Sequence, residues 1–348
     1  MKKILKALLI VLLVLVVALG ALLGWLTATE YRPAATEALL LRGSSNRAVP
    51  AEELTVLCWN IGYAGLGKNE DFFMDGGTRA KPESSAVVTA YLSGIAAGID
   101  AADANLVMLQ EVDTDSSRTY GIDETTALIR SVGVHALNYS CPFVPVPLPP
   151  MGKVHSGLFT TADHAVTEAE RVSLPCPFSW PLRVANLKRC LLLTRLPVEG
   201  SERELVLVNL HLEAYDDGEG KIAQTKQLME LLGEEYEKGN YVIAGGDFNQ
   251  IFPGGLEAYP NTHPELWTPG ILEEESLPEG FRYVCDLSVP TCRLLNQPYT
   301  PSDAAGTQYY VIDGFIVSPN VDVASVETLD YGFENSDHNP VRISVRLG

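Results

Sequence analysis

YVIAGGDFNQ, residues 241–250, runs an apolar, β-prone segment into two glycines and then sets Asp247 and Asn249 two positions apart. Glycines at a strand end permit close backbone approach or an unusual turn. Alone, GGDFN reads equally well as an Asx turn joining strand to loop. The surrounding chain decides between these readings.

Outward from it, other short apolar runs end in polar residues: LTVLCWN (54–60), ANLVMLQEV (104–112), CLLLTRL (190–196), ELVLVNLHL (204–212) and YYVIDGFIVS (309–318). Helix-like stretches at 84–98 and 220–238 lie between several of them, the second with apolar Ile222, Leu228, Met229, Leu231 and Leu232. Such alternation predicts an α/β architecture whose strands are buried by helices. VLCWN, helix, VMLQEV is echoed by LVLVNLH, helix, VIAGGDFN, which predicts two similar halves with sheets packed face to face. The Pro-rich 140–154 and the Pro-, Gly- and Glu-rich 252–301 are expected as long loops.

The strand ends supply Asn60, Glu111, His211, Asp247, Asn249 and Asp313, and the segment SDHNPV (336–341) adds Asp337 and His338. Each has a plain alternative: His211 alternates with leucines like a core histidine, and Glu111 could cap its strand. Asp313 in an apolar strand is costly unless paired, and His338 is the natural partner. Together the set suits hard-cation phosphate chemistry. Carboxylate and amide oxygens hold Mg²⁺, with Mn²⁺ as the alternative, while no Cys/His cluster has zinc spacing. A carboxylate-oriented histidine supplies acid–base function.

The ordered motifs CWNIG, LQEVD, NLHLEA, GGDFN, YVIDGFIVS and SDHNPV resemble the endonuclease/exonuclease/phosphatase superfamily, over about residues 54–347. The resemblance implies a four-layer α-β-β-α sandwich of two mixed sheets with the active site at one end. It implies Glu111 as the main metal ligand, helped by Asn60 and Asp337, and His338 with Asp313 as a pair that activates water or binds phosphate. Asp247 and Asn249 would orient the attacking water and hold the phosphate, and His211 would assist the leaving group or steady the transition state. HSGLFTT (155–161) departs from the family's usual GLAILSR, and His155 there is expected as a loop residue without a catalytic role. The Trp- and Arg-rich continuation typical of inositol polyphosphate 5-phosphatases is absent after GGDFNQIFPG, which weakens a phosphoinositide reading.

Lys2, Lys3 and Lys6 precede an uncharged apolar run over 7–28. Its length suits a membrane-spanning helix better than the shorter core of a cleaved signal peptide, for which 18–21 would be the cleavage site. The expected organisation is a membrane anchor at 1–29, a partly packing stalk at 30–53 and a catalytic domain at 54–348. Lysines before the span place the N-terminus inside and the catalytic domain extracytoplasmic, in a single-pass cell-membrane protein.

The chain has 348 residues and a net charge of −19; its 25 basic residues less those three lysines leave 22 against 44 acidic, so the exported part carries −22. That charge disfavours long polyanions unless Arg171, Arg183, Lys188 and Arg189 line a local basic groove. Cys58 and Cys190 read as buried hydrophobes, while Cys141 with Cys176 and Cys285 with Cys292 are candidates for pairing. The expected function is metal-dependent hydrolysis of a phosphate ester: a lipid headgroup, a nucleic acid or a small ester. The alternatives are an extracellular endonuclease acting on DNA and a non-catalytic binding module that keeps the fold. The sequence points to no protein partner.

Overall fold

The computed structural model describes residues 1–216, 218–302 and 306–348. Its main strands are β1 (Thr36–Ala38), β2 (Arg42–Gly43), β3 (Leu54–Asn60), β4 (Leu106–Asp113), β5 (Val132–Val144), β6 (Gly152–Ala162), β7 (Glu168–Ser173), β8 (Cys190–Pro197), β9 (Glu204–His211) and β10 (Tyr241–Asp247). The helices of interest are α1 (Lys2–Ala28), α2 (Ser85–Ala102), α3 (Glu124–Leu128) and α4 (Glu219–Glu237).

Two strand–helix–strand units build the molecule. β3 and β4 pair in parallel around α2, and β9 and β10 pair in parallel around α4. These are the two segments whose sequences echo each other. Every other pairing in the two seven-stranded sheets is antiparallel, so both sheets are mixed. One sheet runs β1-β7-β8-β9-β10 and continues through Asp313–Val317 to Arg282–Val284. The other runs from Val321–Thr328 through Val341–Leu347 to β3-β4-β6-β5-β2.

Side-chain alternation sorts each strand between two cores. Val56, Cys58 and Met108 meet Leu207, Ile243 and Phe315 between the sheets. Their sequence neighbours point outward: Leu57, Trp59 and Val107 onto Ile95 and Ile99 of α2, and Val206, Val208 and Val242 onto Leu228 and Leu232 of α4. The result is the four-layer α-β-β-α sandwich. Strands covered on both faces read as near-continuous apolar runs, which is why LTVLCWN and ELVLVNLH look as they do. Burying each such leucine or valine contributes about 1.5–3 kcal/mol.

Both glycines of the opening segment have defined reasons. A Cβ on Gly245 would lie 2.5 Å from Phe315 and 2.8 Å from Met108 of the facing sheet. Gly246 has φ +141°, and its Cβ would lie 2.1 Å from the Leu210 carbonyl oxygen. The first lets side chains from both sheets close over the strand; the second lets β10 turn toward Asp247.

Residues 30–53, expected as a stalk that partly packs, are woven into both sheets. β1 adds an edge to β7, β2 adds an edge to β5, and buried Val49 bridges Val198. The expected 140–154 loop is shorter than its prolines suggest. β5 continues through Val144 and β6 begins at Gly152, with Pro142 accommodated at a register irregularity between Cys141 and Val144. Residues 252–301 hold only short elements, such as Gly255–Ala258 and Cys292–Arg293. All six cysteines are free, so neither candidate pair is bridged, and Cys58 and Cys190 are buried.

The 27-residue α1 is long and apolar enough to cross a membrane, at about 40 Å by helical rise. α2 also has that length and composition, but its buried face makes it a core helix. Among the described residues, the last turns of α1 touch the domain, where Leu26 is buried with Cys141, Val144, Met151 and Val184.

Candidate active site

One end of the sandwich collects the polar residues of both sheets. β4 is irregular between Leu109 and Val112 in its pairing with β6, and Glu111 sits in that interruption with φ +55°. A bulge of this kind re-aims a side chain that strict alternation would send elsewhere. Asn60 ends β3 with its Oδ1 accepting from Gly62 N at 3.0 Å. Its Nδ2 donates to Glu111 Oε1 at 3.2 Å and to Asp247 Oδ2 at 2.9 Å, joining carboxylates from the two sheets.

Asp247 and Asn249 adopt the Asx turn of the plain reading, with Asn249 N donating to Asp247 Oδ1 at 2.8 Å and Asn249 at φ +50°. Turn and site coincide. The second oxygen of Asp247 faces His211 Nε2 at 3.4 Å and His338 Nε2 at 3.8 Å. His338 Nδ1 is 2.8 Å from Asp313 Oδ2, and His338 Nε2 is 3.8 Å from Asp337 Oδ2. Every residue singled out from the strand ends therefore converges here.

A buried polar tie holds the sheets in register behind this corner. Gln110 Nε2 donates to Asn209 Oδ1 at 2.8 Å, and Asn209 Nδ2 donates to the Leu109 and Phe159 carbonyls. Trp59 Nε1 donates to the His338 carbonyl at 2.8 Å, fixing the SDH turn against β3.

Burial and then the charge of Asp313 push the Asp247 carboxyl up to about 6, against the pull of His338. Burial, with Glu111 beside it, pushes Asp337 up to about 7, again opposed by His338. Burial works against the charged form of His338, but Asp313, Cys292 and Asp337 outweigh it and hold the ring well above the ordinary histidine range. Burial, then Arg189 and His338, hold His211 well below that range, so it is a neutral imidazole.

Among the described residues, no lysine or arginine forms an ion pair with Glu111, Asp247, Asp313 or Asp337, and Asp313 Oδ1 is buried without a hydrogen-bond partner. This excess of carboxylate fits a divalent cation, and oxygen donors fit a hard one. Cys292 lies close enough to Asp337 and His338 to complete a ligand cluster. Burial pushes its thiol up to about 12.

A cavity of about 760 Å³ opens over Glu111, His211, Asp247, Asn249, Asp337 and His338. Another, of about 680 Å³, is lined by Pro278, Phe281, Tyr283 and Val326 among others and contains none of these groups.

No protein-family model matches the sequence, and no curated protein matches it. Solved structures do match. An endonuclease/exonuclease/phosphatase from Beutenbergia cavernae superposes with a TM-score of 0.54 at 18% identity, over 85% of this chain and 72% of that one. One from Bacteroides vulgatus gives 0.54 at 16% identity, over 85% and 99%. The chain has the endonuclease/exonuclease/phosphatase fold. The human Nocturnin catalytic domain, with bound sulfate anion, gives a TM-score of 0.50 at 15% identity, over 89% of this chain and 97% of that one.

Within this endonuclease/exonuclease/phosphatase fold, several residues near the site were not among the candidates read from the strand ends. Cys292 sits in a two-residue strand inside the irregular 252–301 region and bridges His338. Thr291 Oγ1 accepts from the backbone N of Asp313 at 3.1 Å. Arg118 lines the cavity, pairs with Asp113 through two 2.9 Å hydrogen bonds and lies 3.5 Å from the Tyr63 ring centre. The nearby LQEVD motif, followed by an arginine in the next turn, was the available clue to Arg118. His155 lies in β6 with Nδ1 2.7 Å from Thr114 Oγ1 and does not line the cavity.

Proposed function

We propose that the protein is a membrane-anchored, metal-dependent phosphoric ester hydrolase whose catalytic domain lies outside the cytoplasm. The observation that carries this reading is the Asn60 amide joining Glu111 and Asp247 beside the His338–Asp313 pair. That arrangement gathers acid, base and oxyanion-facing groups in one cavity.

A divalent cation held by Glu111, with Asn60 and Asp337, would neutralise charge on a phosphoryl oxygen. Asp247, close to neutral pKa, receives the proton of the attacking water, which Asn249 helps to orient. Protonated His338, its ring fixed by Asp313, donates to a phosphoryl oxygen, and neutral His211 steadies the leaving side. Water oxygen bonds to phosphorus in line with the ester P–O bond that breaks; the leaving oxygen takes its proton from solvent, to which Asp247 returns the one it received. The sulfate held by Nocturnin is a tetrahedral oxyanion of the kind this corner would accept.

The nuclease alternative is weakened by the fate of the basic residues. Arg171 donates to the Leu137 and Lys188 carbonyls, Arg183 and Lys188 pair with Glu30, and Arg189 pairs with Glu213. They form no free groove for a polyanion. The anchor reading rests on α1 and on Lys2, Lys3 and Lys6 in its first turns.

With bis(p-nitrophenyl) phosphate and Mg²⁺, the full chain is expected to release p-nitrophenol. Glu111→Ala and His338→Ala should each lower kcat by roughly 10²–10⁴. Turnover unchanged by EDTA would overturn the metal dependence.

A further inference from the structure

The cavity over the catalytic residues has a second set of walls. Leu22, Leu23 and Leu26 of α1 line it, together with Val146 and Met151 of the Pro-rich segment and Leu182 of the segment before β8. The residues that would carry the chain across a membrane and those that would cleave a phosphate ester thus border the same space.

The helix is held there firmly. Leu26 is buried, and Trp180 Nε1 donates to Thr27 Oγ1 at 3.1 Å. The Glu30 side chain, 2% exposed, pairs with Arg183 at 2.8 Å and Lys188 at 3.4 Å. Around this junction apolar side chains face outward: Val146 is 54% exposed, Leu148 89%, Trp180 53% and Leu182 68%. Exposed apolar residues clustered beside the end of a membrane-length helix match a bilayer surface, and Trp25 and Trp180 are of the type that settles at its interface.

We propose that the cavity opens to the membrane and that the substrate is a lipid phosphate ester, its hydrocarbon chain against α1, Val146 and Leu182 and its phosphate at the catalytic corner. This rests on the hydrolase reading above and on retention of α1. A water-soluble ester would leave these apolar walls wetted, whereas a hydrocarbon chain covers them at a gain for each methylene buried.

The test uses the full chain in phosphatidylcholine nanodiscs with two p-nitrophenyl phosphodiesters that differ only in the second alcohol, methyl or hexadecyl. The hexadecyl ester should be cleaved with a kcat/KM about a hundredfold or more above the methyl ester, given the methylenes it can bury. Partitioning into the disc also favours the long ester, so the decisive quantity is that ratio in V146D/L182D, two substitutions at exposed positions that spare the core. A fall in the ratio of tenfold or more supports the proposal. An unchanged ratio overturns it, as does a wild-type ratio near one.

If neither ester is cleaved, the hydrolase reading fails, and binding then decides the lipid pocket. Hexadecyl phosphate binding more tightly than methyl phosphate by tryptophan fluorescence, with the difference lost in V146D/L182D, supports the pocket. Equal binding of the two, or no binding of either, overturns it.

Discussion

Asp313 is a carboxylate inside an apolar strand, 1% exposed, and among the described residues its one ion-pair partner is the imidazole of His338. Such a group is retained at a cost, since a buried charge is tolerated only when paired. Its proposed role is to fix the His338 ring and favour its charged form. Asp313→Asn preserves shape but removes the charge, so kcat should fall by roughly 10²–10⁴ with KM little changed. Steady-state kinetics on the generic diester will check this, and an equal rate would remove Asp313 from the machinery. At this scale the sequence was most legible where several polar residues ended adjacent apolar runs, because their joint occurrence has few structural explanations. It gave no sign that Cys292 and Arg293 reach the cavity, since both come from a stretch without periodicity. Gly246 announced a special backbone, but only the φ of +141° and the nearby Leu210 carbonyl tell which kind.

Among elements, the helices and central strands followed from pattern. The expected helix at 220–238 is α4, Glu219–Glu237, and the one at 84–98 extends to Ala102. Edges were harder: β1 and β2 are short, polar and set by pairing with distant strands rather than by local preference. The end of α4 also carries a measurable charge effect. Burial raises Glu235, but hydrogen bonds from Arg195, Lys238 and Asn240 outweigh it and hold the carboxyl at about 2 instead of 4.5. A carboxyl depressed by folding stabilises above its unfolded pKa and loses that contribution as pH falls toward the folded value. Glu235→Gln should therefore cost about 2 kcal/mol near pH 6, and the gap should shrink by roughly 40% at pH 3.5. Urea denaturation of both proteins at the two pH values measures it; a constant gap would contradict the assignment.

For the molecule as a whole, the proposed catalytic corner is where the two sheets meet, so a cation bound there would tie them together. Asp337 at about 7 and Asp247 at about 6 hold protons that a cation must displace. Raised carboxyls compete with metal at low pH, hence Mg²⁺ affinity should increase from pH 6 to pH 8. The resulting rise in Tm on adding Mg²⁺ should be larger at pH 8, approaching about 2.7 kcal/mol of stabilisation at a hundredfold excess over Kd. Differential scanning fluorimetry with wild type and Glu111→Ala reads this directly, and an equal shift in both would place the ion elsewhere. The face-to-face halves were visible in the paired motifs, whereas the position of α1 against the domain was not, because the contacts of Leu26 and Glu30 join residues far apart in the chain. That clamp alters the kinetics expected of the enzyme. If the cavity opens to a membrane as proposed, the protein would meet substrate by lateral diffusion in a plane, so turnover would follow the mole fraction of substrate in the surface rather than its bulk concentration, and inert lipid would act as a diluent.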